Sequence, residues 1–249
     1  MFRAITDTVS SLLANSRRQR VITPTTAIVK VNIGSGLAVA DGWINLDGSL
    51  NALVASWPSF FHRTLYHLSD SRQWYSLQDY SRILRSHAFV HYIADQPLPF
   101  PDGTVDYVYT SHLLEHLYRQ DAERLLGDVL RGLKPGGVIR VCVPDLERAF
   151  DLYKNGERLA ALKLFFTELD KDPGRFNRHK FMYDFALLRA CLEKQGYANI
   201  TRCEYQRGKV PDLDKLDNRP AITLYVEAQK APQTSPTIMS TGAERQIGR

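Results

Sequence analysis

Gly34-Ser35-Gly36 follows an apolar run, residues 27–33, and Asp47 closes a second run, residues 43–47, eleven positions after Gly36. A glycine turn lets a ligand approach the backbone, because no Cβ stands in the way. A carboxylate can accept from both hydroxyls of a ribose. Strand, glycine turn, strand and acid is how an α/β sheet builds a nucleoside site at the carboxyl ends of its strands. A second group is HLLEH, residues 112–116, in which His112, Glu115 and His116 can move protons. The same spelling, HxxEH, is an inverted zinc motif. Here it follows a strand in a nucleoside-site setting, and no metal is expected. Asp95, Asp145, His179 and Tyr183 are further titratable residues near the ends of expected elements.

These residues need a frame to bring them together. Strands are expected over residues 27–33, 43–46, 88–94, 105–110, 138–143, 200–205 and 222–228 from their apolar or alternating patterns. The gap from Gly36 to Asp47 is too short for a crossover helix and a strand. Any helix after the glycine turn is therefore a single turn or missing, unlike a dinucleotide fingerprint, whose acid lies about 20 residues on. Residues 48–90 read as two or three helical pieces, broken at Pro58 and near Ser69-Asp70-Ser71. They carry Trp57, Phe60, Phe61, Tyr66, Trp74, Tyr75 and Tyr80, which suit either core packing or a lid over an acceptor. A helix is expected over residues 113–131, stopped by LKPGG, residues 133–137. Residues 146–168 and 184–195 also read as helical, and residues 171–178 as a polar loop. Strands alternating with helices give a parallel sheet covered on both faces. Two late strands with no helix between them give it an antiparallel finish.

The chain has 249 residues, 44% hydrophobic and 24% charged, enough for one sizeable core. Three units are expected: an amphipathic extension over residues 1–26, one domain over residues 27–230 containing the 48–90 insertion, and a disordered tail over residues 231–249. Within the extension, residues 1–23 form a basic amphipathic pattern that suits a membrane surface or packing on the domain. The formal net charge of +5 is scattered rather than gathered in a stripe, which argues against a nucleic-acid partner. Cys142, Cys191 and Cys203 form no CxxC pair. No run reaches the length of a membrane span and no signal peptide is read. A reducing cytoplasm is the expected compartment.

LPFPDGTVDYVYTSHLLEHL, residues 98–117, followed by LKPGG, residues 133–137, resembles the class I S-adenosylmethionine-dependent methyltransferases of the small-molecule type. With GSG…GWINLD, HKFMYD (179–184) and LDNRP…LYVEA (216–228), it is similar to a bacterial group of methyltransferases often associated with glycan and cell-surface biosynthesis. The resemblance implies a Rossmann-like methyltransferase fold: doubly wound, mostly parallel and seven-stranded, with an antiparallel last strand. It implies S-adenosyl-L-methionine as cofactor. Gly34, Ser35 and Gly36 then pass the methionine part, Asp47 takes the ribose, and Asp95 takes the adenine amino group or its surroundings. Ser111 and His112 face the same crevice. The turn lacks the basic residue with which a P-loop meets phosphate, in keeping with a cofactor that has none. Asn32 stands where the family carries an acid, and Ala38 where it carries a third glycine; an amide can still hydrogen-bond an ammonium, without charge.

The implied function is methyl transfer to a small-molecule or glycan acceptor, with an oxygen as the expected acceptor atom. An oxygen of high pKa must lose its proton to a group in reach, and His116, His112 and His179 are the candidates. Two other classes compete. A nicotinamide dehydrogenase needs a full GxGxxG turn opening a helix, which the spacing to Asp47 opposes. A non-catalytic binding module on the same fold is favoured by the departures at Asn32 and Ala38.

Overall fold

A computed structural model describes residues 21–167, 169 and 177–232. The expected N-terminal amphipathic helix, most of the loop over residues 171–178 and nearly all of the expected tail lie outside the described residues.

Among these residues seven strands form one sheet in the order β3-β2-β1-β4-β5-β7-β6. They are β1 (Lys30–Ile33), β2 (Trp43–Asp47), β3 (Ala88–His91), β4 (Val105–Ser111), β5 (Leu133–Pro144), β6 (Tyr197–Cys203) and β7 (Thr223–Lys230). The pairings β3–β2, β2–β1, β1–β4 and β4–β5 are parallel. β7 runs antiparallel to both β5 and β6, as the two late strands predict. The helices are α1 (Leu50–Val54), α2 (Ser59–Leu68), α3 (Leu77–Ser86), α4 (Arg119–Gly132), α5 (Leu146–Lys154), α6 (Arg158–Phe166), α7 (Phe185–Gln195) and α8 (Leu213–Leu216).

Alternation along the strands divides the core in two. Val31 and Ile33 of β1, Val108 of β4, Ile139, Val141 and Val143 of β5, and Leu224 and Val226 of β7 face α4 and α7, whose Leu125, Leu126, Val129, Leu188 and Leu192 cover them. The residues between them face the other way. Trp43, Tyr109, Cys142 and Tyr225 meet Val210, Leu213 and Leu216 there, so the second face is covered by an irregular segment and the one-turn α8. The 48–90 insertion breaks where expected: α1 and α2 are separated at Pro58, and a 3₁₀ turn spans Asp70–Gln73. Its Val54, Leu65, Tyr80 and Leu84 make a separate apolar cluster that Phe89 of β3 joins.

Several boundaries differ from the sequence-based expectation, each for a local reason. β1 starts at Lys30 rather than residue 27, since the Val29 amide donates to Asp106 Oδ2 at 2.8 Å. β3 ends at His91, which leaves Asp95 exposed on a turn four residues beyond the strand. LKPGG is the bulged start of β5 instead of a free turn: Leu133 already pairs with Val105, and the register shifts before Tyr107 pairs with Val138. The helix expected over residues 113–131 is split into a 3₁₀ turn, Leu114–His116, and α4. A continuous helix would need the Glu115 and His116 carbonyls for its own ladder. They instead accept from the Lys180 amide (2.7 Å) and from Lys180 Nζ (2.6 Å). His112 and His116 therefore do not share a helix face.

Candidate active site

The glycine turn sits at the carboxyl end of β1 between β2 and β4. Gly34 and Gly36 have φ of +71° and +51°, in the left-handed region that glycine occupies without strain. Gly34 has a second reason to be glycine: a Cβ there would lie 3.0 Å from Leu113 Cβ. At Gly36 a Cβ would meet nothing within 4 Å, so open space lies beside that backbone. No helix follows the turn before β2, as the short spacing requires. Asp47 closes the turn from the other strand. Its Oδ2 accepts from the Gly36 amide at 2.7 Å and its Oδ1 from the Ser49 amide at 2.8 Å. A carboxylate offers about four acceptor positions, so two remain for the hydroxyls of a ribose. This carboxylate, the open space at Gly36 and the absence of a lysine in the turn fit adenosylmethionine. Gly34, Ser35 and Gly36 would pass its methionine part and Asp47 would hold its ribose.

Asn32 is buried, and its amide group donates to the Ala38 carbonyl (2.9 Å) and to Asn45 Oδ1 (3.3 Å). Both protons are taken within the fold, so the amide braces the turn and has no proton left for a ligand. Ser35 is buried in the turn, and Ser111 ends β4 beside Cys142 of β5. Asp95 is exposed on a turn after β3, the strand that neighbours β2.

Immediately after β4 the chain turns sharply. His112 has φ +51°, and its amide donates to the Cys142 carbonyl at 2.9 Å. The loop that follows carries Leu113 against the glycine turn and Glu115 into the interior. The Glu115 side chain is fully buried. Its Oε1 lies 3.1 Å from His112 Nδ1, and His112 Nε2 lies 3.0 Å from Thr223 Oγ1. An ionised carboxylate only accepts, so His112 carries its proton on Nδ1 and accepts from the Thr223 hydroxyl. Burial alone would raise the Glu115 pKa, but the His112 hydrogen bond and the neighbouring imidazoles outweigh it and hold the carboxyl below its usual range.

His116 and His179 meet beside this carboxylate, their ring centroids 4.9 Å apart. His116 Nδ1 faces the Arg178 carbonyl at 3.2 Å, and His179 Nδ1 faces the Leu164 carbonyl at 2.6 Å. Carbonyls only accept, so each ring holds its proton on Nδ1 and keeps a lone pair on Nε2. Burial pushes both imidazole pKa values down, against the opposing pull of Glu115. The segment carrying His179 is anchored at both ends. Lys180 holds the 115–116 carbonyls, and Tyr183 bridges to Asp145 after β5 while its carbonyl accepts from the Leu146 amide at 3.0 Å.

The three histidines named from sequence thus come together in one cluster next to the glycine turn. Glu115 at its centre was read from sequence only as one of the groups of HLLEH that can move protons, and Thr223 at its edge was given no role. Glu115 had one signal, its place inside HLLEH. Thr223 had none, since it lies 111 positions from the His112 it supports.

The methyltransferase domain family matches residues 69–141. No curated protein sequence matches the chain. Among solved structures, one S-adenosylmethionine-dependent methyltransferase from Thermotoga maritima is 17% identical, with a TM-score of 0.48 over 89% of this chain and 88% of that one. Another, from Aquifex aeolicus, is 13% identical, with a TM-score of 0.43 over 90% and 98%. The S-adenosylmethionine-dependent methyltransferase SibL, without ligand, is 17% identical, with a TM-score of 0.47 over 93% and 56%. The segment that matches the family runs from the insertion through β3, β4 and α4 into β5. It takes in the loop that lies on the glycine turn, and this match and the strand order of the sheet are consistent with a class I S-adenosylmethionine-dependent methyltransferase.

Proposed function

We propose that the chain methylates an oxygen of a glycan or similar small polar acceptor, whose proton is taken up by His116 or His179, with both ring nitrogens of His112 already engaged by Glu115 and Thr223. The observation that carries this reading is the pair of Nε2 lone pairs on His116 and His179 beside Glu115, the loop of His116 touching the glycine turn through Leu113. The bound cofactor supplies a methyl group on a sulfonium, so the leaving group is already activated. The chain's own residues then have two tasks. They align the acceptor with the methyl group, and they accept the hydroxyl proton as the oxygen becomes a nucleophile. Glu115, fixed by His112, stabilises an imidazolium that forms next to it.

The insertion supports a sugar or another flat, partly apolar acceptor. Trp57, Phe60 and Trp74 expose 40%, 63% and 80% of their surface, and Trp57, Phe60 and Phe61 form one contiguous aromatic group. Aromatic faces of this kind stack on the apolar faces of sugar rings. Among the described residues no helix is long and apolar enough to cross a membrane. All three cysteines are free, which suits the cytoplasm as the working compartment.

Labelled adenosylmethionine should be offered to the purified protein with cell-envelope glycans, tRNA and a small-metabolite extract in separate reactions. Label in the glycan or metabolite fraction is expected, stable to conditions that cleave methyl esters. Label in tRNA alone overturns the acceptor class.

A further inference from the structure

We propose that Glu115, His116 and His179 form a binding site for one divalent cation of the zinc class. Their donor atoms all lie within 4.8 Å of one another. The spelling HLLEH is that of an inverted zinc motif, whose pair on a helix is His112 and His116, and it was set aside for its nucleoside-site setting. The structure replaces that pair with His116 and His179, 63 positions apart, from two segments that Lys180 ties together.

Three features go beyond proximity. First, both rings present Nε2 as a bare lone pair, because each Nδ1–H is taken by a backbone carbonyl. Metal-bound histidines are held in this way: the outer nitrogen donates to a carbonyl or carboxylate, which fixes the tautomer and orients the ring. Second, Glu115 is fully buried, and its Oε2 has no hydrogen-bond partner among the described residues. A buried carboxylate oxygen with no donor is costly unless something positive meets it. Third, Glu115 has its own outer support, since His112 donates to Oε1 and is held in turn by Thr223. The carboxylate is oriented toward the two histidines, with His116 Nε2 4.0 Å from Oε1.

The donor set selects the ion. Two imidazoles and one carboxylate suit zinc, cobalt, nickel or ferrous iron; calcium and magnesium want oxygen ligands. Donors at about 2.0–2.2 Å from a tetrahedral ion stand about 3.4 Å from one another. The present spacing closes to that with side-chain movements of about an ångström. Three protein ligands leave at least one position for an oxygen donor from outside, as in catalytic rather than structural sites. An ion there makes His116 and His179 ligands in place of the bases proposed above, and lowers the pKa of an oxygen bound beside them.

The test uses the untagged full chain, stripped with a chelator and titrated with Zn²⁺ by calorimetry and Co²⁺ by visible absorption. One equivalent per chain is expected. His116→Ala and His179→Ala should each weaken binding by at least about 100-fold, beyond what loss of an outer partner does. Glu115→Gln should do the same, and if it fails to fold the histidine variants decide. His67→Ala, an exposed histidine on α2, should bind as the parent does. Adenosylmethionine affinity is measured on every sample. Metal binding lost in the variants while adenosylmethionine still binds supports the site. Metal bound by a protein that binds no adenosylmethionine also supports it, and counts against the transferase reading instead. No saturable metal binding, or equal binding after both histidine changes, overturns it.

Discussion

Arg140 and Asp217, 77 positions apart, form a two-pronged ion pair with no solvent exposure on either side chain: Nη2 to Oδ2 is 2.6 Å and Nε to Oδ1 is 3.1 Å. Arg140 also donates to Glu227 Oε1 and to the carbonyls of Glu204 and Arg207. Asp217 accepts from the Gln206 amide and the Tyr109 hydroxyl. The irregular segment over the second face of the sheet is thus fastened by charge from beneath. Its apolar contacts through Val210, Leu213 and Leu216 complete the cover. Arg140→Leu leaves two carboxylates buried without their cation and should cost about 3–5 kcal/mol in urea unfolding. Combining it with Asp217→Leu and Glu227→Leu should recover much of that loss, because an apolar replacement of a whole buried network is often near neutral.

Gly208 belongs to the same network. A Cβ at that position would run into Glu227 Oε1 and come within 2.8 Å of Arg140 Nη1. Gly208→Ala should therefore lower stability by about 1–3 kcal/mol, the usual cost of forcing extra volume into a packed interior. Urea unfolding checks this, and an unchanged midpoint would mean that the segment can move away from the sheet.

Asp47 ties the glycine turn at Gly36 to the start of the segment after β2 at Ser49. Asp47→Ala should weaken adenosylmethionine binding by about 1–3 kcal/mol, roughly 5-fold to 150-fold. Asp47→Asn keeps an acceptor and should lose less. Gly34→Ala should abolish binding by a different route, combining a strained φ with a collision against Leu113. Calorimetry on folded variants separates these outcomes.

The glycine turn, Asp47 and the short gap between them were legible in sequence because they depend on residues adjacent in the chain. The same holds for the breaks at Pro58 and near Asp70, and for the helix that Asp184 caps and Gly196 ends at φ +97°. The helix expected over residues 113–131 failed for the opposite reason. Lys180, far along the chain, captures the carbonyls that its first turn needed. That capture also makes the site, since it brings His179 to His116. Asn32 was placed in the cofactor set by its position in the family pattern. Its actual partners, Ala38 and Asn45, depend on how β1 and β2 register, which no local pattern states. Within LDNRP, residues 216–220, Asp217 is the buried partner of Arg140, a pairing that no local pattern states.

Asp212 gives the covering segment a dependence on pH. Burial would raise its pKa, but hydrogen bonds from Lys30 Nζ (2.7 Å) and Trp43 Nε1 (2.8 Å) outweigh it and hold the carboxyl below its ordinary value. A depressed carboxylate contributes stability above its unfolded pKa and loses it as pH falls through the folded value. Thermal unfolding from pH 7 down into the acid range should therefore show a larger loss in the parent than in Asp212→Asn. The pair is partly exposed, so the difference should be modest and should shrink in high salt.

His116 is the residue on which the proposed chemistry turns. Its ring is fixed by the Arg178 carbonyl, its charge is disfavoured by burial, and its free nitrogen faces Glu115. Neither Gly34–Gly36 nor Asp47 bonds to it, so cofactor binding should survive its removal. His116→Ala should lower the single-turnover methyl-transfer rate by about 10²–10⁴-fold, the range for losing proton transfer at a positioned group, with adenosylmethionine affinity unchanged. His112→Ala should act more weakly and by another route, releasing Glu115 Oε1 and Thr223 from their shared partner. A fall of less than about 10-fold in His116→Ala would remove the imidazole from the reaction and leave alignment of the acceptor as the source of the rate.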